Sequence, residues 1–407
     1  MIIHPLNNGL TVLIEPMPGL ASAAMSLLIP CGVATDPADS VGVASIVQEM
    51  TLRGAGDRSS RQLSDDLDRL GIQRSSTVGV YHARYAAAAT ADNLLAAIPI
   101  YADIVQRPLL DPSGFEPAQQ LSLQSLEGLD DDPRSRVLVE LRKAHWPEPL
   151  GRNTMGETSH LEALTVDRAR GEYHRRFGPA GSILAVAGNV DPSKVIDIAR
   201  RCFETWAVRP EPAYKITQSC EAKLFIQQDS EQTHVGIACT SVAETDPDYY
   251  VARVANEVLS GGSGARLFTE IREKRGLCYS VGTTYASLRD RASLLGYAGT
   301  SNDRAQAMLD AFIEELNKLK NGVTHDEVER SKIGLLSNTV MSSESTSARA
   351  GAIAADYFSR GRLRSMDEII DSISAVTANR VNELVRQRPL GPFTVVTVGP
   401  KELSHSS

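Results

Sequence analysis

Apolar and polar residues alternate in short runs along this chain, as in TVLIEP (11–16) and KLFIQQD (223–229), a period of two that predicts half-buried strands. The same reading applies to AAMSLLIPCGV (23–33) and HVGIACTSV (234–242), and to YHARYAAAAT (81–90) and ASLLGYAGT (292–300). Between them the apolar spacing lengthens to that of helices, in GVASIVQEMTLRG (42–54) and YYVARVANEVLSG (249–261). These segments form two series in one order. Ala34–Thr35–Asp36–Pro37 is echoed by Glu244–Thr245–Asp246–Pro247, and SILAVAGNVDP around Gly188 by FTVVTVGPKEL around Gly399, so two distant anchors share one register.

A long-period repeat decides the architecture before any short motif does. Each half opens with strands, groups its long amphipathic helices between strands, and ends on a strand. That order predicts an α+β fold of two homologous repeats, each a mostly antiparallel sheet covered by helices on one face. The repeats are 1–208 and 222–407, with a linker at 209–221 where prolines and polar residues break the periodicity.

Composition narrows the function. Hydrophobic residues make up 42% and charged residues 23%, a globular mixture, and 407 residues suffice for two cores. A formal charge of −8 with no strong basic cluster argues against nucleic acid, and no apolar run is long enough for a membrane helix. The short patch Arg360–Arg364 reads as a solvated helix end or loop. Five cysteines, Cys31, Cys202, Cys220, Cys239 and Cys278, lack CxxC spacing and suit reduced thiols. The cytoplasm is the expected compartment, or the periplasm if a signal peptide has been removed. None of the eight histidines forms a pair at ligand spacing; His145 reads as a loop residue.

The segment GVASIVQEMTLRGAG (42–56) resembles the first active-site helix of the pitrilysin and mitochondrial-processing-peptidase family, usually similar to GLAHFLEHMLFKGT. There HxxEH sets two histidines on one helical face to bind zinc, with the Glu between them as general base. The matching places here hold Ser45, Gln48 and Glu49. The family's third ligand is a downstream Glu, where this chain offers Gln124 or Ser125. The resemblance therefore implies a degenerate site with no metal in this chain. It extends through residues 149–192, which follow the family pattern from a Pro-Leu-Gly turn to Gly-x-Val-Asp.

In the second half, LSGGSGARLFTEIREKRGLCYSVGT (259–283) resembles the family segment that supplies an Arg and a Tyr to the cleft. Arg272 and Tyr279 match them. A guanidinium and a phenolic O–H suit the negative charge that develops on a peptide carbonyl under attack. Gly261, Gly262, Ser263 and Gly264 form a run that fits neither a phosphate loop nor a nucleophile elbow. It reads as a break between helices or, by resemblance to noncatalytic processing-peptidase subunits, as part of substrate capture.

Retained Arg and Tyr with altered zinc positions imply one member of a heterodimer, its partner a homologous zinc-bearing chain and its substrates unfolded peptides. A homodimer adds no ligand, although the isolated chain could form one. The family's Asn-Ala-x-Thr edge motif is missing after Gly71, where IQRSSTVGV stands, which weakens the expectation of strand capture there. Two other readings stay open: a non-proteolytic structural or peptide-binding subunit, and an independent serine hydrolase, for which no Ser/His/Asp set stands out.

Overall fold

The alternating runs form strands in the computed structural model, which describes residues 1–217 and 223–404. In the first half these are β1 (Ile2–Pro5), β2 (Thr11–Pro16), β3 (Ser22–Ile29), the short pair β4 (Gly54–Ala55) and β5 (Arg58–Ser59), β6 (Gln73–Val78), β7 (Ala83–Thr90) and β8 (Ile183–Gly188). The second half supplies β9 (Lys223–Gln227), β10 (Gln232–Ser241), β11 (Ser280–Ser287), β12 (Ala292–Ser301) and β13 (Thr394–Gly399).

The sheets run β1-β2-β8-β3-β7-β6 and β9-β13-β10-β12-β11. Apart from β1, the two orders correspond strand for strand. The pairing sense recurs too: β2 with β8 and β9 with β13 are parallel, and the other ladders are antiparallel. The repeat seen in sequence is thus a repeat of topology, in an α+β fold.

Both sequence anchors have a physical cause. A Cβ on Gly188, whose φ is 137°, would lie 2.5 Å from the Cα of Ala23, and one on Gly399 would lie 2.8 Å from the Thr233 hydroxyl. The closing strand of each sheet runs too near its neighbour for a side chain at that point. The two Asp-Pro anchors carry equivalent ion pairs, Asp36 to Arg176 at 2.6 Å and Asp246 to Arg388 at 2.7 Å. Asp36 also accepts from the backbone N–H of Gly42 at 2.7 Å, tying the start of helix Val43–Thr51 to the end of helix Val166–Arg176.

The chain forms two compact units whose bounds differ from the halves of the sequence. One comprises Met1–Gly128, Glu148–Thr217 and Ser343–Tyr357; the other takes Leu129–Pro147 and the described residues from 223 onward, apart from Ser343–Tyr357. Each unit thereby includes a helix encoded in the other half. Helix Pro133–His145 packs on β10 and β13, where a Cβ on Gly236 would approach Leu141 to 3.2 Å. In the other unit Ala350, on helix Thr346–Arg360, meets Ala24 of β3 and Ala187 of β8, and Arg349 pairs with Glu15 at 2.8 Å. Small side chains on the sheet let each helix lie close.

The opposite sheet faces build the main cores. Met25, Leu27 and Ile29 of β3 pack with Val43, Ile46 and Val47 in the first unit; Val235, Ile237 and Cys239 of β10 pack with Val254, Val258 and Phe312 in the second. The described part of the linker, 209–217, has no regular structure but is held in the first unit. Arg209 donates to the carbonyls of Tyr173 and His174, and Thr217 N–H donates to that of Glu148 at 2.8 Å. Linker positions 218–221, Cys220 among them, lie outside the described residues. No helix among the described residues is long and apolar enough to cross a membrane.

Candidate functional site

Helix Val43–Thr51 forms because Val43, Ala44, Ile46, Val47 and Met50 bury against the first sheet, which leaves Ser45 and Glu49 half-buried. Ser45 donates its hydroxyl to the carbonyl of Thr154 at 2.8 Å. Gln48, 6% exposed, sends Nε2 to two carbonyls, Thr77 of β6 and Arg84 of β7, each at 3.0 Å. Those residues face each other across the ladder, so the amide clips the helix to both strands. Glu49 pairs with Arg53 at 2.8 Å one turn along. Gln124 is exposed on helix Phe115–Asp130, and Ser125 donates back to the Leu121 carbonyl at 2.8 Å.

Zinc takes about four tetrahedral ligands, chiefly thiolate, imidazole and carboxylate. At these positions only Glu49 is of that kind, and it holds a guanidinium. The donor set does not fit zinc, and among the described residues no group of three or more His, Cys, Asp or Glu is placed to hold a metal. Gln48 instead serves the fold. Gln48→Ala is expected to lower stability by roughly 1–3 kcal/mol, because two carbonyls lose their donor. Gln48→Glu restores the carboxylate of the family pattern but sets it against those carbonyls, so it is expected to melt lower still at neutral pH. It regains part of the loss in acid, where a protonated carboxyl donates again; thermal melts across pH check both.

In the second unit, Gly261–Gly264 lies between helix Tyr249–Ser260 and helix His325–Ser343, beside a cavity of about 290 Å³ lined also by Glu257, Glu327 and Arg330. Arg266 anchors this corner with bonds to both Glu327 oxygens at 2.6 and 2.8 Å, which holds the Glu327 carboxyl down at about 2. Burial raises Glu257 above the ordinary carboxylate range.

The segment that follows, Phe268–Lys274, winds as a π-helix, a form frequent at functional sites. Arg272 is exposed and stacks over the Phe268 ring at 4.7 Å. Gly276 turns the chain at φ +60°, Arg304 donates to its carbonyl at 2.6 Å, and Tyr279 N–H donates to the Gly299 carbonyl at 3.0 Å. Backbone ties therefore fix where Tyr279 stands, one residue before β11, while its side chain is 66% exposed. Neither the Tyr279 hydroxyl nor the Arg272 guanidinium has a hydrogen-bond or ion-pair partner among the described residues. Between them, burial pushes the Cys278 thiol up to about 11, which disfavours the thiolate form. Ser45, Gln48, Glu49 and Gln124 belong to one unit, and Arg272, Tyr279 and the glycine run to the other.

Two expectations from sequence need correction. Arg360–Arg364 is a helix end running into a loop, as expected, and Arg362 is 54% exposed, but Arg360 and Arg364 are not solvated: they stack on Tyr249 at 5.0 and 5.7 Å, and Arg364 bonds the Tyr250 hydroxyl at 2.6 Å. His145 ends a helix rather than sitting in a loop, with its ring between the Thr394 and Ser293 hydroxyls at 3.0 and 2.9 Å. Burial lowers its pKa.

Known proteins resemble this chain along its length. Residues 11–158 match the family described as Insulinase (Peptidase family M16), and residues 163–335 match Peptidase M16 inactive domain. An uncharacterised zinc protease of Rickettsia felis is 26% identical over 404 residues, spanning 98% of each chain. Among solved structures, a peptidase M16 inactive domain from Pseudomonas fluorescens superposes with a TM-score of 0.87 at 21% identity, over 99% of this chain and 98% of the other. A chain of complex III2 from Candida albicans gives 0.84 at 18% identity, over 98% and 96%. At such identities the solved structures speak to the fold.

Proposed function

Because the chain belongs to peptidase family M16, which two consecutive matches between residues 11 and 335 show, we propose that it is the zinc-less member of a two-chain peptidase. The observation that carries this is a contrast. The positions matching the zinc motif are committed to the fold through Ser45, Gln48 and Glu49, whereas Arg272 and Tyr279 are held in place with their polar ends unused. In this reading the metal sits on a homologous partner, and Arg272 and Tyr279 donate to the oxygen of the peptide carbonyl being cleaved.

A surface for another chain is at hand. Ile333, Val340 and Met341 share a helical stripe on His325–Ser343 and are 64%, 42% and 71% exposed. Unfolded peptide is the substrate, added as a strand to a sheet edge. β6 is such an edge, and its backbone groups do not depend on the missing Asn-Ala-x-Thr motif.

Purification with a zinc-bearing homologue and peptide-cleavage assays of each chain alone and mixed test the proposal. Neither chain alone should cleave efficiently, and the mixture should. Stoichiometric zinc in this chain, or cleavage by it alone that survives a chelator, overturns the reading. A structural subunit is the second reading, favoured by the likeness in fold to a chain of complex III2, since a fold does not carry its chemistry with it. That reading holds if the complex forms and no peptide is cut.

A further inference from the structure

Next to the second of the repeated ion pairs, the second unit contains a cavity of about 420 Å³ that the proposed peptide chemistry leaves unused. Its wall is aliphatic, with Val242, Leu294, Leu384 and Leu390 facing Ala252 and Ala255 of helix Tyr249–Ser260. The first unit is packed shut at the matching ion pair, where the Asp36 and Arg176 side chains are 0% exposed. In the second unit the Arg388 side chain is 53% exposed and Asp246 22%, and the open space lies beside them. The volume of this surface-open recess lies in the range of small-molecule sites.

Asn256 gives the cavity a specific polar group. It is 7% exposed and lines the space; its Oδ1 accepts from the Thr283 hydroxyl at 2.8 Å, and its Nδ2 donates to no acceptor among the described residues. That nitrogen is not sealed from solvent, so an acceptor oxygen on an occupant takes the place of water there. Asp246 and Arg388, the charged residues at the cavity, pair at 2.7 Å and offset each other's charge, so the lining as a whole favours an uncharged occupant. We propose that this cavity binds an uncharged, mainly apolar small molecule bearing one carbonyl, whose oxygen accepts from Asn256. The site is separate from Arg272, Tyr279 and the glycine run, none of which lines it.

The test is fluorescence titration of the full chain with prodan, an uncharged naphthyl ketone whose emission moves to the blue out of water. The expected result is a saturable one-to-one shift. Filling the space from either of two separate positions, Ala255→Phe or Ala252→Leu, should abolish it in variants whose melting curves remain cooperative. Asn256→Leu should weaken binding by about tenfold or more. Thr283→Val, which removes the neighbouring hydrogen bond but keeps the amide, should bind as the parent does. Decanamide should displace prodan, and decanoate should not. The proposal is overturned by absence of saturable binding to the parent chain, by binding that persists in the cavity-filled variants or is indifferent to Asn256→Leu, or by equal displacement by the two decanoyl compounds.

Discussion

Tyr279→Phe is expected to reduce kcat of the reconstituted two-chain peptidase by roughly 10²–10³ while peptide affinity changes little. The substitution removes one hydroxyl and keeps the ring. That hydroxyl touches no acceptor among the described residues and the residue is 66% exposed, so no internal bond is lost and the melting temperature should not move. An interaction made only as charge develops on the carbonyl oxygen appears in kcat and not in ground-state binding. Arg272→Ala should act in the same direction with a stability change under about 1 kcal/mol, since an exposed stack on Phe268 contributes modestly. Stopped-assay kinetics of the mixture and thermal melts of the isolated variants check both. An unchanged rate in Tyr279→Phe removes the pair from catalysis and leaves the structural-subunit reading standing.

The repeat was legible in sequence because its anchors are places where physics leaves little choice. Gly188 and Gly399 stand where a Cβ collides with the neighbouring strand, and Asp36 and Asp246 each meet an arginine that ends a later helix. The helix exchange was not legible. Apolar spacing says that Pro133–His145 and Thr346–Arg360 bury a face, but not which sheet receives it; the small residues Gly236, Ala24 and Ala187 mark the landing places only once the sheets exist. Charge patterning missed the packing of Arg360 and Arg364 for a related reason. The tyrosines that take those guanidinium groups, Tyr249 and Tyr250, lie far away along the chain.

The candidate site divides in the same way. Arg272 and Tyr279 were singled out by their spacing within a recognisable segment, and their catalytic role is the proposal made above. What Gln48 does was invisible, because its two acceptors come from β6 and β7 and appear only when that ladder closes beneath the helix. Asn256 was missed for want of any local signal. An asparagine on the apolar face of a helix becomes informative only when Thr283 satisfies one end of the amide and a cavity meets the other.

Arg176→Met should destabilise the first unit by roughly 3–5 kcal/mol, whereas Arg388→Met at the equivalent pair should cost at most about 1 kcal/mol. The chemistry is the same and the burial is not. Asp36 and Arg176 have 0% exposed side chains, with Glu172 also on the guanidinium at 3.2 Å, so removing Arg176 strands a carboxylate away from water. Arg388 is 53% exposed, and water replaces it beside Asp246. Acid provides the second reading. Burial already holds the Asp36 carboxyl above its ordinary value, and losing the guanidinium raises it further. A carboxyl with a higher pKa in the folded state binds a proton that the unfolded chain does not, so stability rises as pH falls through that folded pKa. The Arg176→Met deficit should therefore shrink on acidification, and replacing Asp36 by Leu in the same chain should recover much of it at neutral pH. Denaturation at a series of pH values decides the matter; equal losses from Arg176→Met and Arg388→Met would mean that the first pair is not sealed from water.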